Sequence, residues 1–317
     1  MRKVLLLYNP SSGQKRARRA GVIAKAADVF RSAGLQVEQC PTTHAGSAVE
    51  QTEQAVAAGF DTVISCGGDG TANEAVNGLM RCGSQAALGV IPLGSGNLLA
   101  TDLRLPVNPV SAAHALLQYS PRPVRPGIIT SHDDRGPQSR YFIVAAGVGA
   151  DADLMYRTAV EVKERWGRKA YFIEMARMAL RRHFPMFQVE WAADGGQRRK
   201  NDIALVMAIR AEKFPGLLRR VRLGSSLTHN HYRLLLFKTD RVRHFLNYFA
   251  SVASGLNWNV PNVEVVSSDW FRCTPFQSQT QASIHAECDG ELLGRLPAEI
   301  GIAEKSFQLL MPPSRSI

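Results

Sequence analysis

Along residues 4–97, short apolar runs alternate with stretches of helical periodicity, and this alternation restricts the fold more than any other feature of the chain. Val4–Tyr8 is a continuous apolar run, as a strand buried on both faces requires. After Asn9–Gly13, the residues Ala20, Ile23, Ala27 and Phe30 recur at spacings of three or four, and Gly34 closes the pattern as a helix C-cap. Leu35–Gln39 reads as a strand, Gly46–Ala58 as a helix ended by Gly59, and Asp61–Ser65 as a strand. Thr71–Met80 reads as a helix and Leu88–Ile91 as a strand, with a further helix after the loop Pro92–Gly96. Strands separated by helical crossovers pair in parallel, so this part of the chain predicts an α/β domain with helices on the faces of a parallel sheet.

The pattern changes at Pro121-Arg122-Pro123-Val124-Arg125-Pro126, which reads as a linker or an edge strand. Beyond it lie the β-rich runs Tyr141–Ala145, Phe187–Trp191, Ile203–Ile209, Tyr232–Phe237 and Val263–Val266. They predict a mainly antiparallel, β-sandwich-like domain with inserted helices at Leu154–Val162 and Ala170–Arg182. The chain has 317 residues, more than a single core usually organises. The expected division is 1–126 and 127–296, with 297–317 returning to complete the first domain through strands near Ala298–Ile302 and Phe307–Met311.

Charge narrows the partners. The formal net charge is +11, and 16 Lys and Arg against 7 Asp and Glu fall within residues 155–222. The excess is local, which favours an anionic partner for the second domain. A hydrophobic fraction of 45% excludes disorder as the main state. The five cysteines, Cys40, Cys66, Cys82, Cys273 and Cys288, form no CxxC pair, so reduced thiols are expected. Met1-Arg2-Lys3 precedes an apolar run too short for a secretory signal, and no later run could span a bilayer. A soluble, cytoplasmic protein is expected.

Gly67-Gly68-Asp69-Gly70-Thr71 stands between a strand and a helix. Glycines let the backbone approach a phosphate, and the helix start offers unpaired N–H groups and a positive dipole end. Asp69 beside a phosphate is repulsive unless a cation lies between them, so the motif reads as nucleotide with Mg²⁺. The competing reading is a tight turn with Asp69 as a helix cap. Two further loops, Asn9-Pro10-Ser11-Ser12-Gly13 and Pro92-Leu93-Gly94-Ser95-Gly96-Asn97, follow neighbouring strands. Ligands of open parallel sheets bind outside the carboxyl ends of the strands, where these loops would converge.

These motifs, with Asn73-Glu74, Ala146–Asp151 and the late Asp289-Gly290-Glu291, occur in the order found in the diacylglycerol kinase catalytic-domain superfamily. The chain resembles its bacterial members, lipid kinases related to sphingosine kinases. The resemblance implies an ATP-binding α/β domain, a β-rich lipid domain and an active cleft between them. It implies ATP and Mg²⁺ as cofactors. ATP contacts are expected from Asn9–Gly13, Thr43, Gly67, Gly68, Asp69, Gly70, Thr71, Asn73, Gly94, Ser95 and Asn97, with Asp69 reaching the metal through the nucleotide. The general base falls to Asp289 or Glu291, as phosphoryl transfer to an alcohol needs a carboxylate near the hydroxyl. A lone Asp-Gly pair would otherwise read as a hairpin turn.

The chain departs from the family pattern at three points. Ser95 replaces a usual Thr and keeps its hydroxyl, and Leu98 stands where many relatives carry Asp. Many bacterial relatives also have an Asp-Gly pair near Leu227–Tyr232 that helps hold a structural Mg²⁺. Here the run is Thr228-His229-Asn230-His231, without a carboxylate, so only the ATP-bound metal is expected. Zinc on the two histidines has less support than a surface turn.

Arg165-Trp166-Gly167-Arg168-Lys169, Arg181-Arg182 and Arg198-Arg199-Lys200 suit either anionic headgroups or a solvated face. Lys15, Arg16, Arg18 and Arg19 lie near the first loop. The resulting expectation is an ATP-dependent lipid kinase in peripheral contact with an anionic membrane. Homodimerisation is left open and nucleic acid is not a partner. An NAD kinase-like enzyme, or a non-catalytic lipid- or nucleotide-binding regulator of the same fold, are the alternatives.

Overall fold

A computed structural model describes residues 1–10, 19–94, 96–149, 183–193, 196–212, 224–254, 260–276 and 284–313. The chain forms two compact units, Met1–Pro126 with Ala303–Ile317, and Gly127–Ile302.

The first unit alternates β1 (Lys3–Tyr8), α1 (Arg19–Ser32), β2 (Gln36–Pro41), α2 (Ser47–Ala57), β3 (Thr62–Gly67), α3 (Asp69–Cys82) and β4 (Ala87–Pro92). The short α4 (Leu98–Asp102), α5 (Pro109–Leu116) and β5 (Ser120–Val124) follow. β1 pairs in parallel with β2 and β3, and β3 with β4. Every residue of β3 and β4 is buried, as in strands covered on both faces, and only Thr62 and Ser65 interrupt their apolar character. α5 starts where Asn108 Oδ1 accepts from the Val110 and Ser111 N–H groups, with Pro109 at the first helical position. The proline-rich segment forms β5, an edge strand, where missing N–H donors do least harm.

The C-terminus returns as β17 (Phe307–Met311), inserted between β4 and β5, parallel to the former and antiparallel to the latter. The return starts at Ala303, not at 297. Residues 298–302 belong to the second sheet, because they pair with β-strands of that unit.

The second unit holds β6 (Gly127–Asp133), β7 (Gly136–Phe142), β8 (Ala145–Gly149), β9 (Phe187–Ala192), β10 (Arg198–Ile203), β11 (Leu205–Ile209) and β12 (Tyr232–Phe237). After α6 (Val242–Ser254) come β13 (Val263–Ser268), β14 (Trp270–Thr274), β15 (His285–Cys288) and β16 (Glu291–Ile302). All lie in one antiparallel sheet of order β10-β9-β14-β16-β15-β8-β11-β12-β13, with β6 on β16 and β7 on β6. The sheet curls over itself. Tyr232 of β12 meets Phe271 of β14 edge-to-face at 5.7 Å and donates to the Ile300 carbonyl of β16 at 3.0 Å, although four strands separate β12 from β14.

Strand periodicity divides the side chains between two cores. Val206, Ala208, Tyr232, Leu234 and Leu236 face the core that contains Trp191 and Phe271. Leu205, Ile209, Leu235 and Phe237 face the other, beneath Phe245 and Tyr248 of α6. The helices expected at Leu154–Val162 and Ala170–Arg182 lie outside the described residues.

Candidate functional site

Because β1 to β4 run in parallel, their carboxyl ends share one edge of the first sheet, and the loops that follow them are neighbours. The Gly67 carbonyl accepts from the N–H groups of Leu93 and Gly94 at 2.9 and 3.1 Å, joining the loop after β3 to the loop after β4. A Cβ on Gly94 would stand 2.5 Å from the Gly68 Cα, so this contact admits no side chain. Gly68 caps α3 with extended backbone and no side-chain hydrogen bond. The start of α3 therefore presents backbone, as anion binding at a helix N-terminus requires.

Asp69 opens α3, yet it caps a different helix. Its Oδ2 accepts from Leu98 N–H and its Oδ1 from Leu99 N–H, both at 3.0 Å, at the start of α4. Burial pushes the Asp69 carboxyl up from its ordinary value, and the Leu99 and Leu98 N–H groups oppose that shift. Asn97 turns the loop with a φ of 53°. Its Oδ1 accepts from Gly94 N–H at 2.9 Å and its Nδ2 donates to the Gly94 carbonyl at 2.8 Å. Asn97 thus fixes Gly94, and Asp69 and Asn97 line a small recess with Ser65, Gly68 and Val90.

Thr43 stands in the turn before α2, where its N–H donates to Ser47 Oγ at 3.0 Å. This turn is tied to α3 by Glu74, whose two carboxylate oxygens accept from the Gly46 and Ala48 N–H groups at 2.9 and 3.1 Å. Thr71 and Asn73 are buried on α3, where Asn73 Oδ1 accepts from Asn77 at 3.2 Å. Asn9 and Pro10 follow β1. Ser11, Ser12, Gly13 and Ser95 lie outside the described residues, as do Lys15, Arg16 and Arg18.

In the second unit, Asp289 and Gly290 form the two-residue turn between β15 and β16, with φ angles of 48° and 82°. Two positive φ values are what a tight hairpin asks of an Asp-Gly pair. The turn is also anchored by its side chain. Asp289 Oδ2 accepts from Ile143 N–H at 2.8 Å, and Oδ1 accepts from Val144 and Ala145 at 2.8 and 2.9 Å. The Asp289 N–H donates back to the Ala145 carbonyl. Glu291 forms an ion pair with Arg140 at 2.7 Å, and the buried Glu287 accepts from Gly290 N–H at 3.0 Å.

Sequence reasoning named Glu74 without a role and missed Arg140, Glu287 and the backbone of Ile143–Ala145. Glu74 follows the glycine motif and was legible as part of it. Arg140 and Ile143–Ala145 come from strands remote in sequence, and Glu287, only two residues from Asp289, carries no local pattern that marks its role.

His229 and His231 stack with ring centroids 5.0 Å apart, and among the described residues no group of three or more His, Cys, Asp or Glu could hold a metal ion. Of the basic clusters, Arg165–Lys169 and Arg181-Arg182 lie outside the described residues. Arg198 and Lys200 on β10 both pair with Glu190, at 3.2 and 3.5 Å. All five cysteines are free. Among the described residues no helix is long and apolar enough to cross a membrane.

A parallel α/β unit with a glycine-lined helix start, joined in one chain to an antiparallel β unit, narrows the class. Comparison with known proteins resolves it further. Residues 3–129 match the family model described as the diacylglycerol kinase catalytic domain. The chain is 25% identical over 317 residues to the diacylglycerol kinase of Bacillus subtilis (strain 168), covering 100% of this chain and 98% of that protein. It is 24% identical over 311 residues to the diacylglycerol kinase of Staphylococcus aureus (strain MRSA252), covering 98% and 93%. The crystal structure of a diacylglycerol kinase from Bacillus anthracis str. Sterne shares the fold, with a TM-score of 0.71 at 21% identity over 98% of this chain and 97% of that one. The chain is thus similar over nearly its whole length to bacterial proteins named diacylglycerol kinase, and the family model itself matches residues 3–129.

Proposed function

We propose that the protein is an ATP-dependent lipid kinase that transfers the γ-phosphoryl group to a lipid hydroxyl, that of diacylglycerol, a sphingoid base or a related lipid. The observation that carries this reading is the backbone contact of Gly68 with Gly94 at the start of α3, locked by Asp69. Phosphate oxygens are bound by backbone N–H groups that no side chain shields. In this reading, Asn9–Gly13, Thr43, Gly67–Asn73 and Gly94–Asn97 bind ATP. The curated relatives, named diacylglycerol kinase, support the lipid acceptor.

Mg²⁺ fits the donor chemistry of this loop. Asp69 is a carboxylate at the phosphate end of α3, and an oxygen that accepts one N–H keeps a second lone pair for a cation or its water. When bound with ATP, the metal supplies neutralisation of phosphate charge. Asp289 is assigned as the general base. Three backbone N–H bonds hold its carboxylate in one orientation, whereas Glu291 is engaged by Arg140. In the transfer, the acceptor hydroxyl gives its proton to Asp289 as its oxygen bonds to the γ-phosphorus. The bond between the γ-phosphorus and the bridging oxygen breaks, and ADP leaves. The basic stretch 155–222 is the proposed contact with an anionic membrane surface.

The test is mass spectrometry of a lipid-hydroxyl panel incubated with the pure protein and MgATP. A phosphomonoester product is expected, reduced about 10²–10⁴-fold by Asp289→Asn and much less by Glu291→Gln. No turnover on any lipid while ATP still binds would reject the kinase reading in favour of a non-catalytic binding protein.

A further inference from the structure

Arg210 follows β11 and is fully buried, with 0% of its surface exposed. An arginine cannot shed its charge, and a buried charge costs several kcal/mol unless it is paired and hydrogen-bonded. Its partners therefore state its role. The Nη2 group donates to the Leu227 carbonyl at 3.0 Å and to the His229 carbonyl at 3.3 Å. Its main chain serves the same segment, for the Arg210 carbonyl accepts from Ser226 N–H at 3.1 Å. At Gly224 a Cβ would stand 2.1 Å from the Ala211 carbonyl oxygen, so the loop lies directly on the backbone of residues 210–211. Ser225 Oγ closes the loop on the His231 carbonyl at 2.5 Å.

A divalent metal does not fit here. Thr228, His229, Asn230 and His231 include no carboxylate, and Mg²⁺ seeks oxygen donors that carry charge. The carbonyls of Leu227 and His229 are already bound by a guanidinium. A second cation placed beside it would meet repulsion strengthened by the low local dielectric.

We propose that Arg210 is the fixed internal cation of the 224–231 loop and replaces the structural divalent metal that the family resemblance leads one to seek there. The chain would then hold this loop without any soluble ion. The same residue reaches the candidate base. Arg210 N–H donates to the Val144 carbonyl at 2.9 Å, and Val144 N–H donates to Asp289 Oδ1 at 2.8 Å. Whatever loosens Arg210 should loosen residues 143–145 as well.

The experiment is amide hydrogen exchange on the full-length, nucleotide-free protein, with added MgCl₂ and, separately, with EDTA. No catalytic readout is involved, so its outcome is independent of the kinase reading. Exchange across 224–231 and 143–145 is expected to be the same in both conditions. Arg210→Met should speed it by about 10- to 100-fold, the effect of removing the donor of two carbonyls. Arg210→Lys, which keeps the charge, should fall between the two. Protection of 224–231 by MgCl₂ in the wild type, or unchanged exchange in Arg210→Met, would overturn the proposal. If Arg210→Met does not fold, the wild-type comparison decides alone: indifference to MgCl₂ and EDTA supports the fixed cation, and protection by MgCl₂ removes it.

Discussion

At the scale of single residues, the two carboxylates proposed for the site both accept hydrogen bonds from backbone N–H groups. Asp69 accepts from Leu98 and Leu99, and Asp289 from Ile143, Val144 and Ala145. Main-chain donors fix orientation without the rotamer entropy of a long basic side chain. Glu299 shows the other solution. Burial pushes its carboxyl up, but the Trp270 indole N–H at 2.7 Å and the Arg272 guanidinium outweigh it and hold the group below its ordinary 4.5. A depressed folded value means that the unfolded chain takes up protons first as pH falls. The stability from Glu299 is therefore present above pH 4.5 and lost as pH drops through its folded value. Glu299→Gln should lower the melting temperature near neutral pH, by an amount worth about 1 kcal/mol or less for so exposed a pair. Thermal melts of wild type and variant should converge in acid. A constant gap across the range would contradict the linkage. Asp69 runs the opposite way: its carboxyl is pushed up from 3.8, so it subtracts stability as pH rises through that interval.

At the scale of elements, the candidate nucleotide edge is a set of helix starts tied to one another. Asp69 of α3 caps α4, and Glu74 of α3 caps α2. α3 is thus the common support of the Thr43 turn and the Gly94–Asn97 loop. Glu74 is 8% exposed, so its charge is matched chiefly by the Gly46 and Ala48 N–H groups and the positive end of α2. Glu74→Gln sets an amide NH₂ against one of those donors. It should cost about 1–3 kcal/mol of stability. If the Thr43 turn contacts nucleotide, ATP affinity should fall with it. Denaturant unfolding and an ATP titration read the two effects separately.

At the scale of the whole molecule, the chain crosses from the first unit into the second and back. β17 does not hang on an edge. It lies between β4 and β5, with Phe307, Leu309 and Leu310 buried at 1%, 0% and 1% exposure. Without it, β5 has no partner and β4 loses one face of its hydrogen bonding. Truncation after residue 302 should leave the first unit unfolded or molten while β-rich signal from the second persists. Circular dichroism and limited proteolysis would show this, and a first unit that stays protease-resistant would contradict it.

The parallel order of β1 to β4 was legible because β1, β3 and β4 are mainly apolar runs and each helix has its own period, while β2 is a polar, mostly exposed edge strand. Local pattern sufficed there, since burial on both faces and helical crossovers leave one pairing sense. The glycine motif was legible for a like reason: Gly68 and Gly94 are where backbone must touch backbone. Local pattern carries no information where an interaction joins residues far apart in the chain. Phe307–Met311 is the returning strand, but Ala298–Ile302 looks like it as an apolar run, and only sheet pairing assigns the latter to the second unit. Asp69 as the cap of α4, Arg140 on Glu291, and Arg210 within its loop left no trace in local periodicity. Local pattern alone specifies the alternating elements of the first unit, the main apolar strands of the second, and the glycine loops where side chains are forbidden. Which distant donor satisfies each buried charge is settled only by packing in three dimensions, because hydrogen-bond geometry is set in space and carries no signature of chain separation.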